Sequence, residues 1–193
     1  MVNSFVQNYT IYVARLINKH LKHFISFNLA QEDVEVQKYL FSNTYGQEDA
    51  VAAMDGLFIP IKRPSKNGEG YYSGLKKAYG MMMLALCDFH FRFLYVVCGN
   101  SARVGDSLVF NTSRLKREIE AGTTVFVEYN RIIVESAFPD LPYLIKALFE
   151  IGSGSARTRI EHCFGQFKSQ FRLFGRRYSL LIKIWIKPTS TYD

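Results

Sequence analysis

The sequence predicts an α/β domain, a mixed sheet flanked by helices, preceded by an N-terminal helical segment. Three observations predict it. Strand-like apolar runs lie at residues 51–61, 80–88, 92–99 and 130–135. Stretches with helical periodicity precede, separate and follow them. A hydrophobic content of 48% over 193 residues suffices for one domain with a substantial core.

Residues 3–27 place Phe5, Tyr9, Tyr12, Val13, Leu16, Ile17 and Phe24 at helical spacing. His20 and His23 stand one turn apart, but Lys19 and Lys22 beside them mark a solvated face rather than a metal pair. Residues 28–50 are polar and acidic, and read as a short helix and a loop.

The next run, residues 51–64, carries a lone carboxylate, Asp55, directly before Gly56. An acid inside an apolar run must be compensated by a cation, a metal or hydrogen bonds. Asp-Gly between apolar runs is also a strong hairpin signal, and local pattern alone favours a turn here. The run ends in the basic, proline-bounded Lys62-Arg63-Pro64.

Residues 65–79 are glycine-rich, basic and aromatic, with Tyr71, Tyr72, Lys76 and Lys77. That mixture suits phosphate contact and base stacking, and equally a surface turn. Residues 80–88 and 92–99 then form a hairpin joined by Phe89-His90-Phe91, with Asp88 as the turn-starting residue. Asp88, His90 and Arg92 interrupt this apolar region, which therefore reads as two strands and not a membrane span.

Asp106 fits an N-cap for a helix over 108–121, with chemistry as its second reading, and Gly122 fits the stop. Residues 130–135 form a short strand ending in Glu135. A turn follows at 136–142, then a helix over 144–151. The Gly-Ser-Gly-Ser loop at 152–155 lacks the Gly-Lys-Ser/Thr of a phosphate-binding loop.

Residues 156–174 form the last strong helix. At 100° per residue, Ile160, Cys163, Phe164, Phe167, Phe171 and Phe174 share one side, with Arg157, Glu161, Lys168 and Arg172 in a stripe beside it. Thr158 and Glu161 also fit a capping box, and Glu161 fits plain surface pairing with Arg157. Residues 178–187 suit either an edge strand or a buried helix, and are too short to cross a bilayer.

The net charge is +7 and its placement is uneven. Residues 151–193 hold eight Lys/Arg against two acids, +6 of the total. A basic C-terminal third points to a polyanion, most simply nucleic acid. Cys87, Cys98 and Cys163 are odd in number with no C-x-x-C pair, which argues for a reducing compartment and against a zinc finger or disulfide scaffold. No signal peptide is evident at the N-terminus.

Five segments then carry a joint pattern. They are Met54-Asp55-Gly56 through Pro64; Tyr72 through Lys76-Lys77 to Asp88; Gly99 through Asp106-Ser107 to Phe110; Glu135-Ser136-Ala137-Phe138-Pro139; and Arg157-x-x-Ile160-Glu161-x-x-Phe164-Gly165-x-Phe167-Lys168. In this order they resemble the PIF/Harbinger-type transposases and the nucleases domesticated from them, a branch of the DDE endonucleases. Glu135 stands where that family has aspartate, and only 25 residues separate it from Glu161. The resemblance covers roughly residues 50–175. It divides the chain into an N-terminal helical segment (1–50), a DDE-type nuclease domain with a shortened connection (51–175) and a tail (176–193).

The resemblance implies an RNase H-like fold with Asp55, Glu135 and Glu161 as catalytic ligands of a pair of Mg²⁺ or Mn²⁺ ions. Two-metal phosphodiester cleavage needs hard oxygen ligands around ions about 3.5–4 Å apart, and no nucleophilic side chain. Arg157, Lys168 and Arg172 would meet the DNA backbone, as would Lys62, Arg63, Lys76 and Lys77. A separate Myb-like DNA-binding protein is the expected partner and the nucleus the expected compartment. Two function classes stand: a metal-dependent DNA endonuclease of transposase origin, and a catalytically silent derivative kept as a DNA- or protein-binding module. A generic basic α/β protein would instead scatter the three acids over different surfaces.

Overall fold

A computed structural model of the chain describes residues 2–126, 129–147 and 156–171. Helices α1 (Val2–Leu21) and α2 (Gln31–Tyr45) come first. Of the apolar positions read in α1, Tyr9, Tyr12 and Leu16 remain exposed. The sheet is built from β1 (Ala50–Pro60), β2 (Tyr72–Ser73), β3 (Ala78–Cys87), β4 (Phe93–Ser101), β5 (Arg131–Val134) and β6 (Leu144–Lys146). Helices α3 (Asp106–Asn111), α4 (Arg114–Glu120) and α5 (Thr158–Gln170) complete the described fold.

Strand pairing runs β4-β3-β1-β5-β6, with the short β2 on the start of β3. β1 is antiparallel to β3 and parallel to β5, and β5 is parallel to β6. The result is the mixed, helix-flanked, RNase H-like sheet that the sequence predicts.

The sheet has a core on each face, because β1 is buried along most of its length. One face packs Met54, Leu84 and Ile132 against Val109, Phe110, Leu115 and Ile119 of α3 and α4. The other packs Ala53, Leu57, Ile59 and Ile133 against Phe41 of α2 and Ile160, Cys163 and Phe164 of α5.

Several local expectations are corrected. Asp55-Gly56 makes no turn: β1 runs straight through, and both residues pair across to Ala85 and Leu84 of β3. Long apolar stretches on both sides bury better as one strand than as a hairpin. The helix expected over 108–121 is two helices. Ser113 caps the second by accepting a hydrogen bond from Lys116 N at 3.1 Å. Gly122 is its stop, as expected, with φ of +66° and its N–H on Ile119 O.

Residues 144–146, expected as the start of a helix, are β6, since Leu144 and Ile145 pair with Ile132 and Ile133. A short apolar run does not distinguish strand from helix by period alone. The Thr158–Glu161 capping box is absent: Arg157 holds the N-cap position without a side-chain bond, and Glu161 turns to Arg157 instead. Residues 152–155, 176–193 and Arg172 lie outside the described residues.

Candidate active site

Register alone brings the first two acids together. Ala53 of β1 pairs with Ile133 of β5 in parallel. Two residues further on stand Asp55 in β1 and Glu135 just past the end of β5, on the same side because strand side chains repeat every two residues. Asp55 is buried, and its Oδ1 accepts a hydrogen bond from Gly56 N at 2.8 Å. Burial raises its pKa, and the neighbouring Glu135 adds to the rise, while the Gly56 bond and Arg157 oppose it.

A third acid enters from the opposite face. Asp106 is the first residue of α3, with Gly105 in the N-cap position that the sequence assigned to Asp106. Its Oδ1 takes no capping hydrogen bond. Instead its carboxyl lies over Gly56, in the space that a Cβ there would fill. Asp55, Asp106 and Glu135 thus each present a carboxylate oxygen within 4.8 Å of the others. Asp106 Oδ1 is shielded from solvent and accepts no hydrogen bond from the described residues. Desolvation, then Asp55 and Glu135, push the Asp106 pKa up to about 6, with Lys76 and Arg157 working against the rise. Three acids crowded at one point with an unsatisfied buried oxygen fit a divalent cation, whose preferred donors are such oxygens.

Arg157 closes the site from the start of α5. Its Nε and Nη2 each lie 3.2 Å from Asp55 Oδ2. Nη1 lies 3.3 Å from Glu135 Oε2, and Nη2 lies 3.3 Å from Glu161 Oε1. Glu161 is half exposed and reaches the cluster through this guanidinium. Burial works against the Arg157 charge, but Asp55, Glu135 and Glu161 outweigh it and raise its pKa.

The position of Arg157 is fixed two residues further on. The Arg159 guanidinium sits 3.8 Å from the Phe89 ring centre and donates to Tyr45 Oη at 2.8 Å. Cys163 Sγ donates to Phe91 O. Both hold α5 against the β3–β4 turn, and Asp88 holds that turn. Asp88 is fully buried, accepts from His90 N and Arg92 N at 2.9 Å each, and pairs with Arg92 Nε at 2.6 Å. It is the turn-starting residue expected.

The other predicted phosphate contacts among the described residues lie on the surface. Lys62, Arg63, Lys76, Lys77 and Lys168 are exposed. Arg63 pairs with Glu69 at 2.5 Å and lies over the Tyr79 ring. Lys76, in the loop of residues 74–77, acts electrostatically on Asp106. Asp106 is the residue whose chemistry the sequence ranked second. Its signal was present: it lies in one of the five resembling segments, and Gly105 before it can itself serve as N-cap.

A family profile described as DDE superfamily endonuclease matches residues 54–187. No curated protein and no solved structure matches the chain significantly. With its RNase H-like sheet and acidic cluster, the chain belongs to the DDE superfamily of endonucleases. That superfamily acts on DNA and typically uses divalent metals. Among the described residues, no helix is long and apolar enough to cross a membrane.

Proposed function

We propose that this protein is a metal-dependent DNA endonuclease of transposase origin, of the PIF/Harbinger type. The observation that carries it is the meeting of Asp55, Asp106 and Glu135 at one point, from three separate elements. Asp55, Glu135 and Glu161 are the proposed catalytic ligands for Mg²⁺ or Mn²⁺, and Asp106 adds a fourth carboxylate beside them. Bound there, such ions supply an activated water and charge stabilisation at the phosphate. The chain's own residues do the rest. Backbone and Arg159 contacts hold the carboxylates and Arg157 in place, and the burial of Asp55 keeps bulk water from its oxygens.

Lys62, Arg63, Lys76, Lys77, Lys168 and Arg172 are the proposed phosphate contacts, which orient the strand without reading its sequence. A Myb-like protein is the proposed source of sequence recognition, and the nucleus the proposed compartment.

One observation favours a second reading. Arg157 pairs with Asp55, Glu135 and Glu161 at once, so the three acids are held together by a side chain, as suits a catalytically silent DNA- or protein-binding descendant. Supercoiled plasmid with Mg²⁺ or Mn²⁺ decides between them. The nuclease nicks it and Asp55→Ala does not. Absence of metal-dependent nicking, or equal nicking by the variant, removes the nuclease reading.

A further inference from the structure

We infer that Arg157 is a built-in competitor for the metal: its guanidinium and a divalent cation claim the same carboxylates, Asp55 and Glu135, so that one must leave for the other to enter. The inference rests on the nuclease reading above and adds a residue that sets metal affinity.

The geometry is specific. One guanidinium meets Asp55, Glu135 and Glu161 with all of its nitrogens, at 3.2–3.3 Å. These are carboxylates from a strand, a strand end and a helix. Without a cation between them they would repel one another. The planar fork of arginine suits the task, because it presents five donors in fixed directions and stays charged at any working pH.

A divalent ion on Asp55 and Glu135 would place a double positive charge next to this fixed single one. Held at contact distance in a partly buried site, the two cations repel each other with little screening. The side chain has somewhere to go. It is about one-third exposed, at the N-cap of a helix whose anchoring falls to Arg159 and Cys163. Its departure leaves α5 in place. Turned outward, it becomes a cation at the rim of the site, where a phosphate would lie.

Mn²⁺ titration by calorimetry, on the full chain without DNA, tests this. Arg157→Met is expected to bind Mn²⁺ about ten-fold more tightly than wild type, or about 1.4 kcal/mol. Arg157→Lys is expected to fall between them, since the charge remains without the fork. Unchanged or weaker binding by Arg157→Met overturns the inference.

A second measurement needs no variant to fold. In wild type, Mg²⁺ is expected to shift the Arg157 Nε–H resonance and speed its exchange with solvent. A resonance unmoved at saturating Mg²⁺ also overturns the inference. Asp55→Asn separates the two levels. If it binds Mn²⁺ as wild type does, the metal is elsewhere and the nuclease reading falls as well. If it loses Mn²⁺ while Arg157→Met gains nothing, only the competition falls.

Discussion

The carboxyl of Asp106 occupies the space that a side chain at Gly56 would take. The glycine after Asp55 is there for room and not for a turn. An added methyl would lie well inside contact distance of the Asp106 carboxyl and push it off the cluster. Gly56→Ala is therefore expected to fold with a loss of about 1–3 kcal/mol, as overpacking does. Its metal-dependent nicking is expected to fall about 10²-fold, the cost of misplacing a reacting group by an ångström. Urea unfolding and plasmid nicking measure the two separately. Nicking at the wild-type rate would show that Asp106 has no part in the site.

Asp106 also predicts a pH dependence of stability. The folded protein holds its proton up to about pH 6, whereas the unfolded carboxyl releases it near 3.8. The folded state then binds more protons within that window, so stability falls as pH rises through it. Asp55 is shifted in the same direction and adds to the slope. In EDTA, Asp106→Asn is expected to be more stable than wild type at pH 7 by about 2–3 kcal/mol, with the difference vanishing near pH 4. Urea midpoints from pH 4 to 8 would show it, and parallel curves for the two proteins would refute it.

Lys76, in the loop of residues 74–77, acts electrostatically on Asp106 and holds its pKa down. Removing it as Lys76→Ala is expected to raise the Asp106 midpoint above about 6, read from carboxyl carbon shifts in an NMR titration. If Lys76 also meets a phosphate, the slope of log affinity for DNA against log salt becomes shallower by about 0.9. A changed midpoint with an unchanged salt slope would place Lys76 in the site but off the DNA.

Asp88 directly follows β3 and holds the turn after it. Its oxygens are taken up by His90 N, Arg92 N and Arg92 Nε. Asp88→Ala strands two backbone donors of the turn on which α5 rests, at a cost of about 2–3 kcal/mol. Asp88→Asn keeps one acceptor oxygen and is expected to cost less. Thermal unfolding of the pair checks the order, and equal losses would argue against the hydrogen bonds as the cause.

The comparison of Asp55, Asp88 and Asp106 shows how far local sequence reaches. Each looks alike in the chain: a carboxylate at or near the end of an apolar run, with a turn or cap as the simple reading. That reading holds for Asp88, because its partners lie within four residues. It fails for Asp55 and Asp106, whose partners are Arg157, Glu135 and each other. Strand runs, their order and the helical face of Ile160, Cys163 and Phe164 were legible because burial repeats with the period of the element. The joint order of five weak segments made Asp55 and Glu135 legible as candidates.

By itself, then, the sequence determined a mixed sheet with flanking helices, the approximate extent of its four main strands, and a basic chain with acids at or near strand ends. Only the tertiary structure decided that β1 passes through Asp55-Gly56, that residues 144–146 join the sheet, and that Asp106 crosses over a glycine to reach Asp55. The physical reason is the range of the forces. Periodicity and capping act within a few residues, whereas strand register, the room left by a missing Cβ and the pull of one guanidinium on three carboxylates exist only between segments far apart in the chain.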